Sequence, residues 1–467
     1  MTQSIPENIY FVGAGGIGMA ALERYFLARG CRVAGYDRTS SPLTAELAAE
    51  GVDIVFDDDP DLIPTTMRNP ETTLVVYTPA VPSSHRGLTW FRKNGFRVVK
   101  RAEILGLVTR DSRAICFAGT HGKTTTSSMA AHLLQQSGRG SNAFLGGELR
   151  NYGTNFLLSD NSPFSVIEAD EYDRSFHHLT PEVAVITATD PDHLDIYGTE
   201  EAYLESFAVF TELIRPGGTL VMHTGMKLKP RVGKDVRVFT YSRDNGDFHA
   251  ENIRRGNGEI VFDFVGPDSL RVNDISLGVP VEVNIENAVA ALAALAVVGE
   301  LDKASAAKAM ASFMGAKRRF EFLIKTPDHA VIDDYAHHPD ELRAAITSVK
   351  ALYPDRRLTV AFQPHLYSRT RDFAEGFAEA LSLADEVILL DIYPAREEPI
   401  PGVTSQIIYD RLTCEHRSLI RKEDLAKTAK SLNFETLLTA GAGDISETLP
   451  ALIEVLTERF ALNDKER

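Results

Sequence analysis

Cysteine is scarce. Cys31, Cys116 and Cys414 are all that 467 residues hold, an odd number, widely spaced and without a CxxC pair. That excludes a disulfide framework and a zinc module, and it fits a reducing cytoplasm. No apolar run reaches the roughly 20 residues that cross a bilayer. The opening stretch, MTQSIPENIYFVG, carries neither a basic leader nor an apolar leader core. A cytoplasmic protein without membrane insertion is therefore expected. Basic residues are in deficit, 49 against 65 acidic, for a net charge of −16. This excludes a general nucleic-acid binder as the expectation, yet leaves room for small anions held at local sites. What remains is ordinary for a folded chain, 44% hydrophobic and 24% charged. The length suggests about three domains.

Strand and helix periodicities alternate, with glycine-rich turns at several junctions. A β-rich run at 9–12, the turn Gly13-Ala-Gly-Gly-Ile-Gly18, a helical stretch to Gly30 and a strand at 32–36 ending on Asp37 form a βαβ unit. Strands follow at 73–77 and 97–100. The polar stretch 109–113 marks a first boundary. A second block opens with a strand at 114–118, the turn Gly119-Thr-His-Gly-Lys-Thr124 and a helix to Leu134, and continues through strands at 165–168 and 183–188. Between about 235 and 275 the pattern changes. Asn245-Gly246 and Gly256-Asn-Gly258 there read as antiparallel hairpins. Helices at 287–298 and 304–314 end at Gly315. A third block alternates strands at 330–333, 358–362, 387–392 and 436–440 with helical segments, the pattern of a doubly wound sheet. The expected class is α/β, in domains 1–110, 111–315 and 316–467.

Two glycine-rich loops point in different directions. The first fits GxGxxG through Gly13, Gly15 and Gly18, with Asp37 nineteen residues beyond. Such glycines let backbone N–H groups approach a pyrophosphate at a helix amino terminus, and the acid suits a ribose hydroxyl. A nicotinamide or flavin cofactor, the pyrophosphate of another nucleotide, and a tight turn with no ligand all stay open at this point. The second is a shortened Walker A loop, because Phe117 stands where its first glycine belongs. The essentials survive. A strand precedes, a helix follows, Lys123 suits β/γ-phosphates and Thr124 a metal ion. A dehydrogenase has no use for the second loop and a simple NTPase none for the first. An enzyme that binds a nucleotide-activated substrate and then ATP needs both.

Further motifs carry a resemblance over nearly the whole chain: EADEYDRSF at 168–176, DPDHLDIY at 190–197, NIEN at 284–287, KRRF at 317–320 and DDYAHHP at 333–339. In this order, with the shortened loop, they resemble the Mur ligases, the ATP-dependent amino-acid ligases of peptidoglycan synthesis. The stretches FQPHLYSRT at 362–370, DIYPARE at 391–397 and GAGD at 441–444 resemble its L-alanine-adding branch. So does the lack of lysine between Gly198 and Ile214, where later-acting ligases usually carry a carbamylated one. Two positions depart from the family pattern. Val283 stands where a histidine often precedes the asparagine, and Leu366 where an arginine often follows His365.

The resemblance implies a Rossmann-like UDP-binding domain, a central P-loop-type ATPase domain with a small antiparallel addition, and a C-terminal Rossmann-like domain for the amino acid. It implies the substrates UDP-N-acetylmuramate, ATP and L-alanine, with Mg²⁺, in a monomer or weak homodimer. Lys123, His193 and Glu168 would be catalytic, and Thr124, Glu168 and His193 metal ligands. ATP would meet Gly119, Thr120, His121, Gly122, Lys123, Thr124 and Thr125 in the loop, with Asn284 and Asn287 at adenine, Asp334 at the ribose and Arg319 at the phosphates. Asn287 as a plain helix cap is the alternative reading. Gly15, Gly16, Gly18 and Asp37 would hold the UDP moiety, which removes the need for nicotinamide, and His365 and Arg369 the alanine carboxylate. The base that deprotonates the amine stays open, with His337 and His338 as candidates. Alternatives are a ligase adding a recycled peptide, an NAD-dependent dehydrogenase and a nucleotide-binding sensor without turnover.

Overall fold

A computed structural model describes residues 6–78, 81–82, 84–192, 194–256, 258–395 and 397–466, with the side chains of 194, 195 and 461–466 left aside. Three parallel or mainly parallel sheets follow one another along the chain, with a small three-stranded one between the second and third in sequence, so the α/β class is borne out. The first sheet has the order Asp53–Val55, Arg32–Tyr36, Asn8–Val12, Thr73–Tyr77, Arg97–Lys100, all parallel. Strand Asn8–Val12 is buried at every residue, as expected where helices cover both faces of a parallel sheet.

The second sheet has seven strands, ordered Arg237–Tyr241, Thr219–His223, Val183–Ile186, Arg113–Ala118, Phe164–Glu168, Asn142–Leu149, Thr154–Leu157. Only its last pair is antiparallel. The third block builds a six-stranded sheet ordered Glu321–Lys325, Ala330–Asp334, Thr436–Ala440, Leu358–Phe362, Glu386–Leu389, His416–Leu419, with its first pair antiparallel. In sheets of this kind ligands bind outside the carboxyl ends of the strands, where the strand order reverses. Both glycine loops leave such ends, after Val12 and after Ala118.

Two expectations are corrected. The turn at Asn245-Gly246 does not close a hairpin. The strand before it, Arg237–Tyr241, runs parallel to Thr219–His223 in the seven-stranded sheet, whereas the strand after it, His249–Gly256, belongs to the three-stranded one. A turn signal specifies a local reversal, but not which sheet each arm joins. The alanine-rich helix spans Val283–Val297, starting four residues earlier than periodicity suggested. Asn284 and Asn287 therefore lie inside it, and Asn287 is not its cap.

By compactness the chain falls into two units. One comprises Met1–Glu251, Asp263–Ile275 and Ile285–Phe313, and the other Asn252–Phe262, Ser276–Asn284 and Met314–Arg467. The first unit thus contains the first two large sheets. Its core is continuous from Ile9, Phe11 and Phe26 through Cys116 and Ile167 to Phe207 and Phe210. No helix among the described residues is long and apolar enough to cross a membrane.

Candidate active site

The shortened P-loop keeps its shape through two left-handed glycines. Gly119 has φ +141° and Gly122 +81°, and a Cβ on Gly119 would stand 2.3 Å from Thr187 Oγ1 and 2.7 Å from the Ala188 nitrogen. Only glycine meets both demands. The helix Lys123–Gln136 starts directly after, and no side chain caps its amino terminus, so its first amides are oriented for an anion. Thr120 Oγ1 donates to the Asp190 carbonyl at 2.7 Å and lies 2.9 Å from Tyr203 Oη. The His121 carbonyl accepts from Thr187 Oγ1, while the His121 side chain is exposed. Thr125 is half-buried in the first turn. Asn287 reaches the same loop. Its Oδ1 accepts from Thr126 Oγ1 at 3.1 Å and would be 2.7 Å from a Cβ on Gly122.

Two carboxylates meet the loop side chains. Thr124 Oγ1 donates to Glu168 Oε1 at 3.0 Å, and the Gly146 amide to Glu168 Oε2 at 2.8 Å. Burial raises the Glu168 carboxyl pKa above its ordinary value, against the pull of the Gly146 amide and Lys123. Lys123 Nζ donates to the Gly119 carbonyl at 2.6 Å and to Glu171 Oε1 at 2.8 Å. Glu171 is 1% exposed, its Oε2 has no partner, and burial raises its pKa while Lys123 lowers it. Sequence reasoning missed Glu171, although it lies inside the quoted motif at 168–176. A carboxylate that neutralises the loop lysine was the available signal. His193 falls outside the described residues. Among these, no group of three histidines, cysteines or carboxylates is spaced to hold a metal.

The first loop adjoins this region within the same unit. The Gly15 amide donates to Asp37 Oδ2 at 2.7 Å, and a Cβ on Gly15 would stand 2.9 Å from that oxygen. Gly16 is the N-cap of the helix Ile17–Ala28, again without a side-chain cap. A cavity of about 290 Å³ runs from Gly18 at the end of the first loop to Glu168, whose carboxylate accepts from Thr124 of the second. It is lined by Gly18, Arg101 and Leu105 on one side and by Gly146, Asn155, Glu168 and Asp170 on the other. Of these, Arg101, Asn155 and Asp170 were not anticipated.

In the second unit the motifs of the third block gather at strand ends. Arg318, at φ +58°, donates through Nε to Asp333 Oδ2 at 2.9 Å, through Nη1 to the Gly443 carbonyl at 3.3 Å and through Nη2 to the Gly441 carbonyl. Three distant segments are thereby pinned together. Asp334 accepts from the amides of Phe320 and Ala336, both at 2.8 Å, and burial raises its pKa to about 6. Arg319 lies over the Tyr335 ring at 5.5 Å. Asn284 Nδ2 donates to the Val279 carbonyl at 3.0 Å.

His338 caps the helix Pro339–Leu352, whereas His337 faces His365 with ring centres 6.1 Å apart. Arg369 Nη1 lies 3.5 Å from His365 Nδ1. Burial, reinforced by Arg369, holds both His337 and His365 below the ordinary histidine range. They are neutral near pH 7. Leu366 takes φ +69° before the short helix Tyr367–Asp372, and Glu397 accepts from the Ser368 amide at 2.9 Å.

Three family models match in succession: the Mur ligase family, catalytic domain at 8–113, the Mur ligase middle domain at 117–295, and the Mur ligase, glutamate ligase domain at 318–445. The chain is 56% identical to a UDP-N-acetylmuramate–L-alanine ligase of Phocaeicola vulgatus, across 97% of this chain and 99% of the relative. It is 58% identical to that of Parabacteroides distasonis, across 97% and 98%. Among solved structures, the UDP-N-acetylmuramate-alanine ligase MurC of Thermotoga maritima is similar with a TM-score of 0.77 at 28% identity, covering 97% of this chain and 99% of the other. A murein peptide ligase of Psychrobacter arcticus shares the fold, with a TM-score of 0.62 at 23% identity over 96% and 98%.

Proposed function

The chain belongs to the Mur ligase family, and from that premise we propose that it joins L-alanine to the lactyl carboxylate of UDP-N-acetylmuramate at the expense of ATP, in peptidoglycan synthesis. The observation that carries this reading is identity of 56–58% over 97% of the chain to ligases of that activity. The geometry suits the chemistry. A carboxylate oxygen attacks the γ-phosphorus of ATP, ADP departs, and an acyl phosphate results. The alanine amine then attacks the acyl carbon, phosphate leaves and the nitrogen loses a proton.

Two anions must meet in the first step, and their repulsion in a partly dry site amounts to several kcal/mol. Lys123 supplies one compensating charge, and the uncapped helix amides behind it supply oriented dipoles. Thr124 Oγ1 and the Glu168 carboxylate, 3.0 Å apart at the loop, form the oxygen donor set that Mg²⁺ prefers. They would hold it, and it would neutralise phosphate charge. The cavity between Gly18 and Glu168 is where the sugar-nucleotide reaches the triphosphate loop. Domains 1–110, 111–315 and 316–467 would then serve UDP-sugar, ATP and amino acid.

For the amine, Arg369 suits the alanine carboxylate by charge and fork geometry. His337 is the base candidate that is both neutral and turned towards His365, because His338 is occupied as a helix cap. The test is phosphate release from ATP and UDP-N-acetylmuramate with the amino acid varied. Release that follows L-alanine is expected. Release indifferent to L-alanine but responsive to a tripeptide would replace this reading by a peptide-adding ligase.

A further inference from the structure

We propose that Arg101 is the cation that holds the diphosphate of the sugar-nucleotide substrate, an assignment resting on the function proposed above. Arg101 opens the helix Arg101–Arg110, directly after the strand Arg97–Lys100. Its guanidinium lies against the second residue of the glycine-loop helix. A Cβ built on Gly18 would stand 2.5 Å from Nη1 and 3.3 Å from Cζ. The backbone at Gly18 is not left-handed, so the missing side chain makes room for the arginine rather than for a turn.

Charge supports the same assignment. Among the described residues the Arg101 side chain has neither a hydrogen bond nor an ion pair, although Glu168 and Asp170 line the same 290 Å³ cavity. A half-buried guanidinium without a counter-ion is costly unless a ligand supplies one. The loop at 13–18 contains no basic residue, and Asp37 already occupies the Gly15 amide. A diphosphate drawn to this helix amino terminus therefore meets a carboxylate, and the amide dipoles alone offset it poorly. Arg101 supplies the missing positive charge, in a fork that matches two phosphate oxygens.

The test is calorimetric titration of the full-length protein with UDP-N-acetylmuramate, UDP and uridine, using Arg101→Ala and Arg101→Lys. In Arg101→Ala, both diphosphates should bind on the order of tenfold to a hundredfold more weakly, with uridine unchanged and a shallower salt dependence. Arg101→Lys should recover part of the loss. Equal weakening of uridine would make Arg101 merely structural and overturn the assignment. So would unchanged UDP binding with weakened UDP-N-acetylmuramate, which would place the lactyl carboxylate at the arginine instead. Failure of the wild-type protein to bind either diphosphate would overturn the underlying function, a result read before any variant is made.

Discussion

Lys123 faces a competition that a single side chain decides. Its charge is met by Glu171 at 2.8 Å and by the Gly119 carbonyl, and the β/γ-phosphates of a bound nucleotide would compete for the same ammonium. Lys123→Ala should lower turnover by about a thousandfold or more, measured as phosphate release, while UDP-N-acetylmuramate affinity by titration stays within about twofold of wild type. Glu171→Gln separates the two partners of the lysine. Removing the carboxylate should lower the KM for ATP, because a repelling charge beside the phosphates is gone. It should also cost about 1–3 kcal/mol of stability, because Lys123 loses its counter-ion. Steady-state kinetics and urea titration read the two effects. A raised KM with unchanged stability would remove the competition.

At the scale of elements, one buried histidine of the helix Lys123–Gln136 ties it by hydrogen bonds to two other segments. His132 is 1% exposed. Its Nε2 lies 3.0 Å from both the Ala309 carbonyl and Ser312 Oγ, and its Nδ1 2.8 Å from Tyr152 Oη. Burial holds this ring below its ordinary pKa, so the folded protein binds fewer protons here than the unfolded chain. Stability contributed by the neutral ring is therefore present above the unfolded value near 6.5 and lost as pH falls below it. Between pH 7 and pH 5 the loss from this site is at most about 2 kcal/mol. His132→Asn should be less stable at pH 7 but should lose that part of the pH slope, as read by urea midpoints at the two pH values. An unchanged slope would mean that the native ring protonates freely.

At the scale of the whole molecule, a net charge of −16 opposes the approach of anionic substrates at distances beyond the cations of the site. Raising ionic strength from about 10 mM to 150 mM shortens the screening length from about 30 Å to 8 Å. The association rate of ATP should therefore increase with salt, as seen by stopped-flow. A decrease would mean that Lys123 and Arg101 dominate the outer field.

Much of the architecture was legible in the sequence, for reasons that particular segments make plain. Strands 32–36 and 436–440 each stop against a turn residue, Asp37 and Gly441, and the expected spans match the observed Arg32–Tyr36 and Thr436–Ala440 residue for residue. The two glycine loops were also legible, because phosphate-approaching turns tolerate few residue types. The chain order alone thus determined two nucleotide-type loops in series and the family to which they belong. It did not determine which strand each arm of the turn at 245–246 joins, because sheet pairing depends on long-range contacts. Nor did it reveal that Asp37 takes the Gly15 amide, that Glu171 neutralises Lys123, or that Gly18 makes room for Arg101. Those are choices between groups far apart in sequence, here 22, 48 and 83 positions. Periodicity reads neighbours along a chain, whereas charge pairing and steric room are settled only when the folded sheets bring distant loops together.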